Sequence, residues 1–268
     1  MSAMQINANG IKIRYLLEGP EDAPVVTFSH SLGSSMDLWE AQATLLKDRF
    51  RVLRYDNRGH GGTEISSEIY SFELFAEDAY ALLQGLRIEK THFIGLSNGG
   101  MIAQTLALAH PNCVQSLVLC DTTSHPPDAT IPIWEERAIT ALSEGMEPIV
   151  PTTIDRWFNP EIRKKDPELI SHFANLIRTT SPEAYAGCCR AIQKMNLTDR
   201  IHEIDVPTLL LMGAEDTGTV LKEHEIIRDR IPGAELIILE GAAHLSNLCA
   251  PELFNEALVT FLEQNATV

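Results

Sequence analysis

Thr91-His92-Phe93-Ile94-Gly95-Leu96-Ser97-Asn98-Gly99-Gly100 is the stretch that decides the fold of this 268-residue chain. An apolar run leads into a Gly-x-Ser-x-Gly motif, and an apolar helical segment follows over residues 101–109, ending before Pro111. Glycines on both sides of the serine keep side chains out of the crowded positions of a sharp strand-to-helix turn. Such a turn exposes the serine hydroxyl above a helix N-terminus, so we predict Ser97 as a nucleophile.

The composition is typical of a globular enzyme, with 44% hydrophobic and 22% charged residues. The 37 acidic and 21 basic residues give a net charge of −16, which repels phosphate backbones and anionic membrane surfaces. No apolar run reaches the roughly 20 residues of a membrane span, and no secretory signal opens the chain. The 5 cysteines are odd in number and lack metal-ligand spacing. We therefore expect a cytoplasmic protein with no nucleic-acid or membrane partner.

Short apolar runs alternate with segments of helical period along most of the chain. This alternation is typical of a parallel sheet with helices on both faces. It predicts strands at residues 11–17, 25–28, 51–55, 91–96, 114–119, 207–213 and 234–239, and helices at residues 39–46, 72–86 and 251–264.

The pattern changes between residues 122 and 199, which are helical in tendency and contain no convincing buried strand. Several large aromatic residues make a disordered insertion unfavourable: Trp134, Trp157, Phe158, Phe173 and Tyr185. We therefore predict an α/β core domain formed by residues 1–121 and 200–268, interrupted by a helical cap at residues 122–199.

A serine nucleophile needs a base and an acid that orients the base. His244 is the best base, because it follows a strand and precedes the last helix. Asp216 lies three residues beyond Gly213, where the strand before it ends, and gives the chain order serine, acid, histidine. Asp121 also follows a strand and stays open as an alternative acid. The acid would hold the histidine tautomer and stabilise the imidazolium.

Acyl transfer also needs hydrogen-bond donors for the negative charge that develops on the carbonyl oxygen. We expect one donor to be the backbone N–H of Asn98 at the helix start, and the other the N–H of Leu32 in the loop after the strand at residues 25–28. That loop could also be a simple turn. The glycine-rich stretch at residues 55–62 lacks the ending of a phosphate loop. We predict that it is a tight turn beneath the Leu32 loop, with Arg58 in an ion pair, and we expect no cofactor and no metal.

Together these residues resemble the α/β-hydrolase superfamily over nearly the whole chain, and within it the 3-oxoadipate enol-lactonases. The residues that carry the closer resemblance are Ser29-His30-Ser31-Leu32-Gly33, Leu38-Trp39-Glu40-Ala41-Gln42, residues 50–56, Arg58-Gly59-His60-Gly61, Gly145-Met146, Arg156-Trp157-Phe158, Tyr185, Cys189, Ala191-Ile192 and His244-Leu245-Ser246-Asn247. Two positions depart from that family, Asn98 in place of methionine or leucine and His30 in place of asparagine.

The resemblance implies a mostly parallel eight-stranded sheet flanked by helices, with an inserted helical cap. It also implies hydrolysis of an enol-lactone that bears a carboxylate, without a cofactor, in the breakdown of aromatic acids. Other carboxylesterases, acyl-homoserine lactonases and hydrolase-fold receptors for small molecules share such cores, and they remain alternatives.

An anionic substrate in a dry pocket needs a compensating cation, since the net charge of the protein opposes it. The cap offers Arg137, which follows Trp134, and Arg156, which precedes Trp157. We predict that this group binds the substrate and that one arginine pairs with its carboxylate, with Arg137 slightly favoured and Arg190 less so. The alternative is that each arginine is a surface charge with a weak partner.

Overall fold

The computed structural model describes residues 3–266 of the chain, and one eight-stranded sheet forms its centre. The strands are β1 (Met4–Ala8), β2 (Ile11–Glu18), β3 (Val25–Ser29), β4 (Arg51–Tyr55), β5 (Thr91–Leu96), β6 (Val114–Cys120), β7 (Thr208–Gly213) and β8 (Glu235–Leu239). Their order across the sheet is β1-β2-β4-β3-β5-β6-β7-β8. The pairs β1–β2 and β2–β4 are antiparallel, and the other neighbours are parallel. This arrangement confirms the predicted fold class.

Helices cover the sheet and fill the chain between β6 and β7. They are α1 (Glu40–Leu46), α2 (Phe72–Gly85), α3 (Asn98–Ala109), α4 (Ile131–Glu144), α5 (Ile149–Trp157), α6 (Pro160–Lys165), α7 (Pro167–Thr179), α8 (Pro182–Lys194), α9 (Leu221–Arg230), α10 (Ser246–Cys249) and α11 (Pro251–Asn265). Within residues 3–266, no helix is both long and apolar enough to cross a bilayer. We call α4 to α8, residues 131–194, the cap helices.

Local sequence explains where several of these helices begin. Polar side chains accept a hydrogen bond from a backbone N–H of the first turn at Ser71 for α2, Asn159 for α6, Asp166 for α7 and Ser181 for α8. Such caps satisfy backbone donors that have no partner inside the helix. A proline also occupies the first turn of α6, α7 and α8, where its missing N–H costs no helical bond.

The strand order places a crevice at the carboxyl end of the sheet. β3 lies between β4 and β5. The chain therefore runs from β3 to its neighbour on one side, β4, and then crosses to its neighbour on the other side, β5. In open α/β sheets, ligands bind where the crossover direction changes in this way. The loop that follows Ser29 and the turn that follows Leu96 meet at this point, because Ser29 is in register with Gly95.

The cysteines take no part in covalent cross-links. All five are free and buried: Cys113, Cys120, Cys188, Cys189 and Cys249. Burial raises the pKa of the Cys113 and Cys249 thiols to about 11 and that of Cys189 to about 12. These side chains therefore act as small apolar groups of the core.

Candidate active site

The turn between β5 and α3 holds Ser97 in a strained backbone conformation, with φ of 55° and ψ of −112°. A Cβ atom added at Gly95 would lie 2.1 Å from the carbonyl oxygen of Gly99. One added at Gly99 would lie 2.2 Å from the carbonyl oxygen of Ser29. Only glycine fits these two positions, and the close packing of β3, β5 and α3 maintains the strain at Ser97.

His244 and Asp216 are joined by a hydrogen bond. His244 Nδ1 lies 2.8 Å from Asp216 Oδ2 and donates to it. The hydroxyl of Thr219 donates to the same oxygen at 2.6 Å, and the N–H of Gly218 donates to Oδ1 at 2.7 Å. Burial alone would raise the pKa of Asp216, but the adjacent His244 and these hydrogen bonds lower it overall. The carboxylate is therefore held charged and acts only as an acceptor.

The other ring nitrogen of His244 faces a small cavity. Nε2 is buried and has no hydrogen-bond partner within residues 3–266. Ser97 and His244 both line this cavity, which has a volume of about 210 Å³. We call it the Ser97 cavity. An unpartnered Nε2 in a cavity shared with a serine can act as the base for the serine hydroxyl when a carbonyl group is bound.

Asp121, the alternative acid, is occupied elsewhere. Its Oδ1 accepts the Gly213 N–H at 2.8 Å, and its Oδ2 accepts the Ser246 hydroxyl at 2.5 Å. Burial and the nearby charge of Asp216 raise the pKa of Asp121 well above its ordinary value. Of the two acids, Asp216 is the one bonded to His244.

The two expected oxyanion donors lie at the crevice. Leu32 is in the loop after β3, and Asn98 is the first residue of α3. In the part of the chain that the structure describes, neither backbone N–H donates to another protein group. The N–H of Gly33 donates to His60 Nε2 at 3.1 Å, which fixes the loop beside Leu32. The N–H groups of Leu32 and Asn98 are therefore free to bind a ligand oxygen.

The turn at residues 55–62 supports this loop from below, as predicted. His30 Nε2 accepts the N–H of Asn57 at 2.9 Å. Burial lowers the pKa of His30 to about 4 and, together with the nearby His30, that of His60 to about 3. Both rings are neutral and can accept these bonds. The predicted ion pair of Arg58 is confirmed, since its guanidinium bonds to both oxygens of Asp78.

Two arginines of the cap helices line the Ser97 cavity without an acidic partner. Arg137 donates to the Tyr185 hydroxyl at 2.6 and 3.0 Å and to the Thr153 hydroxyl at 2.6 Å. Arg156 makes no hydrogen bond within the described residues, and its guanidinium carbon lies 5.7 Å from the centre of the Trp134 ring. Burial and the positive charge of Arg137 lower the pKa of Arg156. The cavity wall therefore carries excess positive charge.

Trp134 lines the cavity, but Trp157 does not, contrary to the prediction that groups it with the substrate-binding residues. Its indole is fully buried and packs edge-on against Phe173, with the ring centres 6.1 Å apart. Successive helical residues point about 100° apart. Arg156 and Trp157 therefore occupy different faces of α5. The carbonyl of Trp157 instead accepts the Leu245 N–H at 3.2 Å, next to His244.

Three parts of this site are not predicted from the sequence. Thr219 and Gly218 hold the Asp216 carboxylate, and a hydroxyl three residues after an acid in a loop could have indicated that turn. The Tyr185 hydroxyl accepts from Arg137, and the resemblance names Tyr185 without giving it a role. Glu223 lines the cavity from α9, and no sequence motif points to it. Within residues 3–266, no cluster of three or more His, Cys, Asp or Glu side chains could hold a metal ion.

Comparisons with known proteins show which family the chain belongs to. Residues 24–251 match the family described as the alpha/beta hydrolase fold. The chain is 30% identical over 259 residues to 3-oxoadipate enol-lactonase 2 of Acinetobacter baylyi, which covers 97% of this chain and 96% of that protein. These relatives include proteins named as enol-lactonases and esterases, which are hydrolases of ester bonds.

Solved structures give the same result. The crystal structure of the enol-lactonase from Burkholderia xenovorans LB400 has a TM-score of 0.93 and 31% identity, covering 97% of this chain and all of that one. A thermophilic esterase from Thermogutta terrifontis, solved with malate bound, has a TM-score of 0.92 and 26% identity, and both chains are covered completely. The chain therefore belongs to the α/β-hydrolase fold family, in which it is similar over nearly its whole length to 3-oxoadipate enol-lactonases.

Proposed function

We propose that the protein is a carboxylic ester hydrolase in which Ser97, His244 and Asp216 form the catalytic triad. The observation that carries this proposal is the His244–Asp216 hydrogen bond, which leaves Nε2 of His244 unpartnered in a cavity shared with Ser97. In the first step the Ser97 Oγ attacks the substrate carbonyl while His244 Nε2 takes its proton. The N–H groups of Leu32 and Asn98 bind the oxyanion that forms.

The second half of the reaction releases the acid. The C–O bond of the ester or lactone breaks, and His244 gives its proton to the leaving oxygen. For a lactone, the leaving group stays attached to the acyl-enzyme as the far end of the opened ring. His244 then removes a proton from water, whose oxygen attacks the acyl carbon. The bond between the acyl carbon and Ser97 Oγ breaks, and His244 returns the proton to Oγ. Asp216 stabilises the imidazolium in both steps and does not accept the proton.

We propose further that the substrate is a small anionic lactone, with 3-oxoadipate enol-lactone as the first candidate. Arg156 and Arg137 face the cavity without an acid partner, and a buried carboxylate requires such cations. Arg156 has the freer guanidinium, so we assign it as the direct partner of the carboxylate and Arg137 as the second positive charge. The Arg156 guanidinium lies over the Trp134 ring, a favourable cation–π arrangement. The similarity to enol-lactonases and to an esterase that binds malate supports an anionic ligand.

A role in the breakdown of aromatic acids and a cytoplasmic location belong to the same proposal. The first follows from the similarity to enol-lactonases. Five free cysteines support the second, since free thiols are usual in reducing compartments.

A substrate panel tests the reaction and its specificity. We expect the protein to hydrolyse 3-oxoadipate enol-lactone with a higher kcat/KM than N-acyl-homoserine lactones or p-nitrophenyl acetate. Ser97→Ala should lower kcat on every substrate by on the order of 10³-fold or more. If Ser97→Ala keeps the activity of the unchanged protein, the triad is wrong. Binding of a small molecule without turnover would instead identify a receptor.

Arginine variants test the anion site. Arg156→Ala should raise KM for the anionic lactone by about tenfold or more and leave KM for p-nitrophenyl acetate nearly unchanged, because the neutral ester lacks the carboxylate. Arg137→Ala should have a smaller effect of the same kind. Arg190→Ala is the matched control, since Arg190 pairs with Glu135 at the surface. Equal effects of all three variants on both substrates would exclude the pairing.

A further inference from the structure

The two arginines of the Ser97 cavity are held in place by different kinds of contact. The guanidinium of Arg137 donates to the hydroxyls of Tyr185 and Thr153. Arg156 has no such bonds, and its Nε is buried without a hydrogen-bond partner within residues 3–266. Packing must therefore fix the position of Arg156, which leaves its N–H donors for a ligand.

Gly218 supplies the closest packing against the aliphatic part of the Arg156 side chain. A Cβ atom added at Gly218 would lie 2.7 Å from Arg156 Cδ and 3.4 Å from Arg156 Cγ. Carbon atoms in good contact are about 3.5–4.0 Å apart, so the Arg156 side chain already fills the space that a methyl group would need. At the charged end, the guanidinium carbon lies over the Trp134 ring, 5.7 Å from its centre.

The glycine at residue 218 is needed for space and not for its backbone conformation. Its φ is negative, unlike that of the glycines with left-handed backbone, and other residues adopt such values readily. An added Cβ would also lie 3.2 Å from Asp216 Oδ1, a tight contact but a longer one than that to Arg156. An alanine at residue 218 would therefore displace mainly the flexible side chain of Arg156.

Gly218 also joins Arg156 to the loop that carries the acid of the triad. The Gly218 N–H donates to Asp216 Oδ1 at 2.7 Å, and the other oxygen of Asp216 accepts from His244 and Thr219. Asp216 forms no ion pair with Arg156 in the described part of the chain, because its oxygens already have these donors. A cation thus lies next to the triad loop and keeps its charge available to a ligand.

We propose that Gly218 is a specificity-determining residue: because it has no side chain, Arg156 can pack against the Asp216 loop and present its free guanidinium to a carboxylate in the Ser97 cavity. This inference rests on the proposed function, because it takes the Ser97 cavity as the substrate site. It deepens that function by assigning the preference for anionic substrates to the contact between α5 and the loop after β7. A larger residue at 218 shifts the preference toward neutral esters.

Calorimetric titration with adipate tests the inference without requiring turnover. Adipate resembles the acid that 3-oxoadipate enol-lactone would release, without its keto group. The variants are Gly218→Ala, Arg156→Ala and the double substitution. The matched control is Gly85→Ala, since a Cβ atom there would also meet the flexible part of a side chain, at 2.8 Å, but outside the cavity.

We expect Arg156→Ala to raise the Kd of adipate by about tenfold or more, because the carboxylate loses its cation. Gly218→Ala should raise it by about fivefold or more, because the methyl group displaces Arg156. In the Arg156→Ala protein, adding Gly218→Ala should change the Kd by less than about twofold, since the displaced side chain is already gone. Gly85→Ala should leave the Kd within about twofold of the unchanged protein.

Three results overturn the inference. The first is that Gly218→Ala leaves the Kd of adipate unchanged. The second is that Gly218→Ala has the same effect with and without Arg156, because the effect would then not pass through the arginine. The third is that the unchanged protein binds no adipate.

Kinetics separates an effect on Arg156 from a general effect on the triad. A methyl group at residue 218 also contacts Asp216, and a disturbed Asp216 would slow the hydrolysis of every substrate alike. Such a loss cancels in the ratio of kcat/KM for the anionic lactone to kcat/KM for p-nitrophenyl acetate. We expect Gly218→Ala to lower this ratio by about fivefold or more. An unchanged ratio would mean that Gly218 only supports Asp216, which contradicts the inference.

The proposed function is judged by a separate result. Hydrolysis of p-nitrophenyl acetate that depends on Ser97 supports the proposed function whatever the adipate titrations give. If the protein hydrolyses no ester and the adipate results are still as expected, the anion site stands and the reaction is wrong.

Discussion

At the level of single residues, three hydrogen bonds hold the carboxylate of Asp216. Its Oδ2 accepts from His244 and Thr219, and its Oδ1 accepts from the Gly218 N–H. Asparagine would keep the size of the group, but its NH₂ group cannot accept these protons. We expect Asp216→Asn to lower kcat by on the order of 10³- to 10⁴-fold, because the His244 tautomer is no longer fixed.

Steady-state kinetics on p-nitrophenyl acetate measures this loss. Asp121→Asn is the control, since Asp121 bonds to Gly213 and Ser246 and does not contact His244. Its effect on kcat should remain below about tenfold. A larger loss in Asp121→Asn than in Asp216→Asn would mean that Asp121, after β6, is the acid of the triad.

The side chain of Asn98 is buried at a cost in stability. Both polar atoms of its side chain are buried, and neither has a partner in the described residues. Replacing an unsatisfied buried amide by an apolar group removes a desolvation penalty of about 1–3 kcal/mol. We therefore expect Asn98→Leu to raise the free energy of unfolding by roughly that amount, measured by urea denaturation at constant m-value.

Asn159 provides the matched comparison for Asn98. Its side chain accepts the Ile162 N–H at 3.0 Å and donates to the Gly241 carbonyl at 3.0 Å. Asn159→Leu should lower the free energy of unfolding by about 1–2 kcal/mol, since it removes a helix cap. Destabilisation of similar size by Asn98→Leu would mean that the Asn98 amide has a bonding role.

At the scale of elements, the contact of α3 with β3 and β5 depends on two glycines. We expect Gly99→Ala to lower the free energy of unfolding by more than about 2 kcal/mol, because the new methyl group would meet the Ser29 carbonyl oxygen at 2.2 Å. Backbone atoms cannot move aside as a flexible side chain can. Activity per folded molecule should also fall, since α3 would shift away from Ser97.

Gly85 is the control glycine for this substitution. It is the last residue of α2, and an added Cβ would meet the flexible end of the Ile6 side chain at 2.8 Å. Gly85→Ala should change the free energy of unfolding by less than about 1 kcal/mol. Thermal and urea unfolding of both variants tests the comparison, and equal losses would contradict it.

The elements also explain how far the sequence could be interpreted. Parallel strands such as β5 and β7 are buried along their whole length and contain runs of apolar residues, so their positions are predicted within a few residues. β1 is not predicted, because most of its residues are exposed and it is held at the sheet edge by pairing with β2. A strand with so few buried residues has no run of apolar side chains by which to recognise it.

The residues of the site also divide into those that can be predicted from the sequence and those that cannot. Residues at strand ends, such as Ser97 and Asp216, are fixed by topology and can be predicted from chain order. Trp157 is misassigned because only the helical phase of α5 separates it from Arg156. Glu223 is missed because its contact with the cavity depends on how α9 packs against the core, which no local motif encodes.

At the scale of the whole molecule, buried histidines link the fold to pH. Burial lowers the pKa of His30, His92 and His224 to about 4 and contributes to a value of about 3 for His60. In the unfolded chain each titrates near 6.5. Between these values the unfolded state binds more protons, so stability decreases as the pH falls below about 6.5.

The slope of this dependence is large because the four groups act together. Each contributes on the order of 1 kcal/mol per pH unit between about pH 6 and pH 4. We therefore expect the urea midpoint to fall steeply over this interval and to change little between pH 7 and pH 8. His92→Gln should reduce the slope by the contribution of one group, on the order of 1 kcal/mol per pH unit. An unchanged slope would mean that His92 is protonated in the folded protein.

The buried thiols have a practical consequence. Because all five cysteines are buried and burial raises the pKa of their thiols, maleimide and other alkylating reagents should react with them only slowly in the native state. A single cysteine introduced on an exposed face of the cap helices, at Ile139 for example, would then be the one reactive position. Fluorophores or spin labels could report cap movement during substrate binding without first removing the native cysteines.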